Sequence, residues 1–458
     1  MSELVINFPS RRIGSENIIQ NPLKKKTGFI LNQTQELQSS DKPFYGWKNA
    51  AVLTFIFMAT TGLVFYAFSV IFPVMLKDTG WSRGDASIAI SLGILAGGFL
   101  IPFAAKLINK VGTRKVIIIG LAILFLDLLL LSTTTTKLWH WIVIWGVLTP
   151  IGRVLCGIMP SQVNIMFWFN RKRAMAIGLL MTGAPIGGFI APPVYTWFMN
   201  YMGGWRAGWM LSTGVVLMAL ALSFLVRSKP SDMGQHPDGI TPGAPLADGR
   251  QNSSEGARTF RTQTAWTLRE VLKSRTIWLI TAANITLQMG LGVVVFHGVL
   301  HLTDIGYSAM NAAFILSTII VSSGVVRFPV GWLGDRVEPR WIIFTALIIM
   351  VIGFIGIWKA PSFGLLMVLG PIYGISYGVL LTIVPTITGN YYGPEVFASI
   401  NGFFGPFLTV IGAAVPTIAG YAVEKLGSYN EIFLVITFLL IAGTVCSAFL
   451  SPPRKKEI

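Results

Sequence analysis

Charge is what this sequence has least of. Asp, Glu, Lys and Arg make up 12% of its 458 residues, about half of the roughly 25% that keeps a soluble domain's surface in water. Cysteine is nearly absent. Cys156 and Cys446 both sit in apolar runs, which excludes a disulfide framework and a cysteine metal site. Four scattered histidines form no metal-ligand cluster. No GxxxxGK[ST] loop is present, so an ATP-driven pump is excluded. The sequence also lacks H-E-x-x-H, a Ser/His/Asp set and paired carboxylates within its apolar runs, so neither an enzyme nor a bound cofactor is expected. Against these deficits stand 53% hydrophobic residues, 30 Phe, 14 Trp and 48 Gly. The solvent of such a chain is lipid.

Crossing the hydrocarbon takes about 20 mostly apolar residues in a helix. Such runs lie near 48–76, 86–108, 116–135, 139–168, 173–200 and 207–226, then near 276–302, 309–333, 341–358, 362–388, 396–423 and 430–451. Period-2 alternation is absent, and the runs far exceed the ~9–11 residues of a barrel strand. The fold class is an all-α integral membrane protein with twelve transmembrane helices in two six-helix bundles. The expected parts are a tail (1–46), a first bundle (47–227), a connector (228–275), a second bundle (276–451) and a short tail (452–458). No apolar h-region precedes the first span, so the opening residues do not read as a signal peptide. The connector is rich in Ser, Gly, Pro and Thr and buries too little to fold alone, so it is expected to be mobile. Its stretch 263–274 is weakly amphipathic and is expected on the membrane surface.

Net charge is +16, and its distribution decides its meaning. Lys and Arg crowd the tails, the connector and the short turns around Lys106–Lys115, Arg171–Arg173 and Arg336–Arg340, all on one side of the alternating spans. The other side holds Lys77, Arg83, Lys137, Arg206, Lys359 and Lys425. This bias predicts cytoplasmic termini, in a plasma or bacterial inner membrane, and contact with anionic lipid headgroups. Nucleic acid is not an expected partner, and a monomer is the expected state.

The two halves repeat. AKLINKVGTRK (105–115) and GWLGDRVEPR (331–340) are basic turns between corresponding spans, at an offset of 226. Gly178, Gly188 and Pro192 match Gly402, Gly412 and Pro416 at an offset of 224. Small residues at helical spacing let helices approach closely in lipid, and repeated halves with a site between them are a common build of secondary transporters.

The paired turns resemble the G-x-x-x-D-R-x-G-R-R signature of the major facilitator superfamily, over 47–451. The second copy keeps Gly331, Asp335 and Arg336, while the first has Ala105 and Asn109 at the Gly and Asp positions. Within that superfamily, several segments resemble the monocarboxylate transporter and oxalate:formate antiporter branch. They are YGWKNAAVL (45–53), DTGWSRGDAS (78–87), WFNRKRAMAIGLLMTGAPIGG (168–188) with GGWRAGW (203–209), and HLTDIGYSAMNAAFILS (301–317) leading to VVRFPVGWLGDR (325–336). The resemblance implies alternating-access transport of a small organic anion.

A charge at the centre of a spanning helix costs about 2.5–3.5 kcal/mol, so the few present ask for a reason. Arg327 lies about 12 Å before the end of the eighth span, too deep to snorkel easily. Its planar fork matches a carboxylate, and the resemblance implies that an eighth-helix Arg binds the substrate. Helix-end carbonyls are the alternative partner. Arg153 in the fourth span is open between a second anion contact and an ion pair with Asp127. Asp127 in the third span is then either that partner or a proton carrier. His297 is a candidate for substrate contact and proton coupling, because imidazole titrates near neutral pH.

Tyr66, Asn284 and Tyr377 lead the uncharged candidates for substrate contact, ahead of Ser69, Gln162, Asn164, Gln288, Tyr373 and Asn401. Phe68 and Ser323 stand where the animal monocarboxylate transporters carry Lys and Asp, and the eleventh helix lacks the Lys of oxalate antiporters. Proton coupling therefore does not carry over from the resemblance. The expected function is secondary transport of a small organic anion, a monocarboxylate first, with H+ as a candidate co-substrate. A dicarboxylate exchanger and a solute-sensing transceptor are the alternatives.

Overall fold

The computed structural model describes residues 43–240, 259–359, 362–426 and 428–454. Twelve of its helices are long and apolar enough to cross a membrane. The first six are α1 (Gly46–Thr79), α2 (Arg83–Val111), α3 (Thr113–Thr133), α4 (Leu138–Trp168), α5 (Arg173–Met202) and α6 (Trp205–Ser223). The second six are α7 (Arg275–Asp304), α8 (Ala309–Gly334), α9 (Pro339–Lys359), α10 (Phe363–Tyr392), α11 (Pro394–Leu426) and α12 (Asn430–Ala448). Two cores are buried, one running from Ala50 to Val226 and taking in Phe397 and Ala398 of α11, the other from Val271 to Leu450. With an even number of crossings in each half, both described ends and the connector fall on one side, called the connector side below.

The repeat is visible in the turns that start α2 and α8. Gly80 and Gly306 take positive φ (70° and 101°), where a side chain would be strained. Two residues on, Ser82 and Ser308 cap the helices by accepting from the backbone N–H groups of Asp85 (3.1 Å) and Asn311 (3.2 Å). These pairs share the 226-residue offset of the basic turns.

The bundles meet only in their connector-side halves. There α5 lies on α8 and α2 on α11, and glycine makes both approaches possible. A Cβ at Gly178 would collide with the Arg327 carbonyl, and one at Gly331 with the Ala174 carbonyl. At Gly402 a Cβ would stand 2.9 Å from that of Ala105, and at Gly405 2.8 Å from the Ile101 side chain. Three of the repeat glycines have a physical role: 178 and 402 sit at the two seams, and 188 lets α5 pack on Tyr66 of α1. The seam runs up to Gly324 against Pro185. The α2–α11 seam runs further, to Gly98 against Thr409, and among the described residues no glycine contact between the bundles lies beyond it. A cleft therefore opens toward the far side.

Two stretches of the connector are packed, a correction to the expectation of mobility; 241–258 lie outside the described residues. Asp238, at φ 58°, accepts from the backbone N–H groups of Asn170 (2.9 Å), Arg171 (2.6 Å) and Lys172 (3.2 Å), just before α5. Further on, Phe260 N–H donates to Glu338 (2.7 Å), Arg261 to the Arg171 carbonyl (2.9 Å) and Thr262 N–H to the Asn390 carbonyl (2.8 Å). A short capped helix, Leu268–Lys273, follows.

This clasp covers Asp335, which ends α8. Its carboxylate accepts from the backbone N–H groups of Ala174 and Met175 at the start of α5, both at 2.9 Å, a natural place for negative charge. Arg261 stands 4.0 Å away. Burial nevertheless pushes the Asp335 carboxyl up to about 6. At the other seam Asn109 makes a single side-chain bond to Ser399 of α11 (3.0 Å), an uncharged counterpart.

Candidate functional site

Three local departures from regular helix shape the cleft. In α1 a π-turn at Met58–Leu63 precedes Phe65 and Tyr66. In α4 a π-turn at Ile144–Leu148 and a break at Gly157 (φ −84°, ψ −144°) isolate an α-helical piece, Thr149–Cys156, which carries Arg153. π-turns rotate everything beyond them relative to a regular helix and recur at functional sites. The piece is clamped on α3: a Cβ at Gly152 would meet Leu124 at 3.0 Å, and one at Gly120 the Cys156 nitrogen at 2.5 Å.

That clamp decides where Arg153 goes. The α3 side of the piece presents Thr149 and Gly152, while the long Arg153 side chain leads off toward α1. Its guanidinium lies over the Phe65 ring, 4.3 Å from the centroid, a cation–π contact. It makes no hydrogen bond or ion pair among the described residues. The ion pair with Asp127 is thereby corrected. Asp127, 1% exposed, is bonded instead to the Thr149 hydroxyl at 2.7 Å.

Arg327 is 7% exposed and partly engaged. Its Nε donates to the Ser323 carbonyl (3.2 Å), Nη2 to the Ser323 hydroxyl (3.1 Å) and Nη1 across the seam to the Met181 carbonyl (2.7 Å). A guanidinium has five N–H donors, so three bonds leave two for a ligand. Ser323 supplies a neutral acceptor, and the positive charge is left without a carboxylate. Among the described residues the chain's one ion pair is Arg261–Asp335, outside the cleft.

Tyr66 ties the two arginines together. It lies within electrostatic reach of both Arg153 and Arg327, and is 37% exposed although it is mid-span. Tyr377 of α10 lies within reach of Arg327 and Tyr66, brought in by Gly378 packing against the Ser323 carbonyl. Four of the residues singled out from the sequence, Arg153, Arg327, Tyr66 and Tyr377, therefore share one cluster of two cations, two phenols and no carboxylate.

The other candidates fall elsewhere. His297 lies toward the outer end of α7: its Nδ1 is 3.1 Å from the Tyr429 hydroxyl at the start of α12. By helical rise it lies about 33 Å from the connector-side end of α7, against about 11 Å for Arg327 on α8. Asn284 is half-buried on α7, one turn before Gln288, and makes no hydrogen bond to either arginine. Asn164 is part of a buried network with Asn49 (2.7 Å), Thr113 (2.8 Å) and the Arg227 carbonyl (3.0 Å). Phe68 stacks with Trp145 and Phe72, at 5.1 and 4.7 Å between centroids. Sequence reasoning missed Phe65, whose adjacency to Tyr66 was the one available signal, and the Met181 carbonyl, which carried none.

A twelve-helix, two-bundle carrier with a cationic cleft at the bundle interface is the class that fold and site define. The chain belongs to the Major Facilitator Superfamily, whose family model matches residues 54–327 and 302–458, and it is a transporter, not an enzyme. It is 26% identical over 417 residues to monocarboxylate transporter 13 of Bos taurus, covering 88% of this chain and 89% of that one. It is 24% identical over 425 residues to monocarboxylate transporter 12 of Rattus norvegicus, covering 88% and 85%. An MFS-type transporter of Gibberella moniliformis is 24% identical over 420 residues, covering 90% and 92%. Among solved structures, a point variant of the E. coli fucose:proton symporter FucP matches with TM-score 0.63 at 13% identity, covering 89% of this chain and all of that one. FucP in the outward conformation matches with TM-score 0.65 at 14% identity, covering 88% and 98%.

Proposed function

We propose that this transporter carries a small organic anion, a monocarboxylate in the first instance, by rocking its two bundles about the Arg153–Tyr66–Arg327–Tyr377 cluster. One observation carries the reading: two guanidinium groups with unused donors lie within electrostatic reach of one tyrosine, with no carboxylate to neutralise them. A carboxylate there gains charge-assisted bonds from Arg327 and an attraction to Arg153. The relatives named monocarboxylate transporters favour the same chemistry. The connector side is read as cytoplasmic from the Lys and Arg bias, so the cleft faces outward. The two bundles at 47–227 and 276–451 are the rocking bodies, and a proton is a candidate co-substrate, as in the symporter of like fold.

A second reading, dicarboxylate exchange, is favoured by the unbonded Arg153, which offers a contact for a second carboxylate. Purified protein in proteoliposomes tests both. Labelled pyruvate is expected to enter saturably, faster with an inward proton gradient if a proton is carried. Uptake only after loading with a dicarboxylate would favour the exchanger. Saturable uptake of neutral or cationic solutes, with none of either anion, would overturn the proposal.

A further inference from the structure

Thr149 has one hydroxyl hydrogen and two partners. Its Oγ1 lies 2.7 Å from Asp127 Oδ2 and 3.1 Å from the Ile144 carbonyl oxygen. One hydrogen cannot serve both acceptors, and assigning it to the Ile144 carbonyl requires the hydrogen of the shorter contact to come from Asp127. The surroundings agree. Oδ1 is buried with no partner, which suits a neutral acid far better than a carboxylate. No cation from the packed helices faces the group: Arg153 of α4 is turned to Phe65, and Arg206 of α6 donates to the Thr135 carbonyl (2.8 Å).

The Ile144 carbonyl also accepts the backbone N–H of Thr149, the i→i+5 bond that closes the α4 π-turn. Asp127 thus supports, through one hydroxyl, the carbonyl that holds this turn together. Arg153 is one helical turn further on. Losing the π-turn would rotate the following piece by about 100°, one residue's worth of helix, and carry Arg153 off Phe65 and out of the cleft.

We propose that Asp127 is a positioning residue: in its neutral form it donates to Thr149, which pins the π-turn that aims Arg153 into the anion site. Asp127 is not a proton carrier in this scheme, because its hydrogen stays in the bond. The inference rests on the reading of Arg153 as an anion contact only for its effect on transport, so the test has one arm that needs no substrate.

That arm follows the thiol of an Arg153→Cys variant, with Cys156→Ala and Cys446→Ala, by its rate of modification with a charged methanethiosulfonate. Asp127→Asn, whose amide donates as the acid does, and Thr149→Ser are expected to leave the rate unchanged. Asp127→Leu and Thr149→Val are expected to drop it to that of a buried thiol. The second arm measures pyruvate uptake with Arg153 in place. The Leu and Val variants should raise KM about tenfold, the scale of one charge-assisted contact, with the Asn variant's pH profile unchanged. Wild-type labelling in the Leu and Val variants would overturn the proposal, as would an Asn variant that labels like Leu or loses proton-driven accumulation. Absence of pyruvate uptake by the parent would count against the proposed function alone, since the labelling arm still decides Asp127.

Discussion

Replacing Arg327 is the most informative single perturbation, because the structure divides its donors between scaffold and ligand. Three bonds go to Ser323 and to the Met181 carbonyl, leaving two donors for an anion. A hydrogen bond to a charged group is worth about 1.5–3 kcal/mol. Losing both should cost about 3 kcal/mol or more, which is about a hundredfold in affinity. Arg327→Lys keeps the charge but not the fork, and is expected to fall between, at about tenfold. The assay is calorimetric titration of purified protein with pyruvate, with Tm measured alongside because the Met181 bond also ties α8 to α5. The expected result is a lost anion affinity with a Tm lowered by a few degrees at most. An affinity within about threefold of wild type for Arg327→Ala would refute the assignment of those donors to the substrate.

Two further predictions concern the seam. Burial moves the Asp335 carboxyl from 3.8 to about 6 while the seam is closed. Its contribution to closure is therefore fully present below about 3.8 and lost as pH rises through about 6. Between pH 7 and pH 5 the closed seam should gain about tenfold over one opened to water, and Asp335→Asn should flatten that response. Alkylation of a Ser69→Cys thiol, exposed on α1 beside Tyr66, reads the population; no pH dependence beyond that of the reagent would contradict it. Gly178→Val puts a side chain onto the Arg327 carbonyl and should disfavour the closed seam by about 1–3 kcal/mol. Alkylation of the same thiol should then slow, and an unchanged rate would show that the α5–α8 approach is not what holds the cleft open.

The helices were legible because each span is a long apolar run with its own punctuation. The third run, read near 116–135, is the helix Thr113–Thr133. The repeat was legible because glycines at one offset serve one purpose, close approach at two seams. Arg327 and Arg153 stood out because charge in an apolar run is costly. What could not be read was rotation. Residues 144–148 and 58–63 form π-turns that no local propensity announces, and these turn Phe65, Tyr66 and Arg153. The Asp127–Arg153 pairing rested on depth along antiparallel helices, which gives height but not facing; Thr149 and Gly152 occupy the facing side. His297 was a candidate by residue type, and its place toward the outer end of α7 followed from the span itself; its neighbour there, Tyr429, is 132 residues away in sequence and could not be read. The connector's composition hid its order, since much of its hold is polar: Asp238 on the backbone N–H groups before α5, Phe260 N–H on Glu338 and Thr262 N–H on the Asn390 carbonyl.

The central claim is that the cleft arginines recognise a carboxylate. The measurement that tests it most directly compares binding of pyruvate and of its neutral amide to wild-type protein and to the double variant Arg153→Gln, Arg327→Gln. Wild type should prefer the acid by about a hundredfold, and the double variant should bind the two alike. Equal affinity for acid and amide in the wild type, or a preference that survives in the double variant, would contradict it.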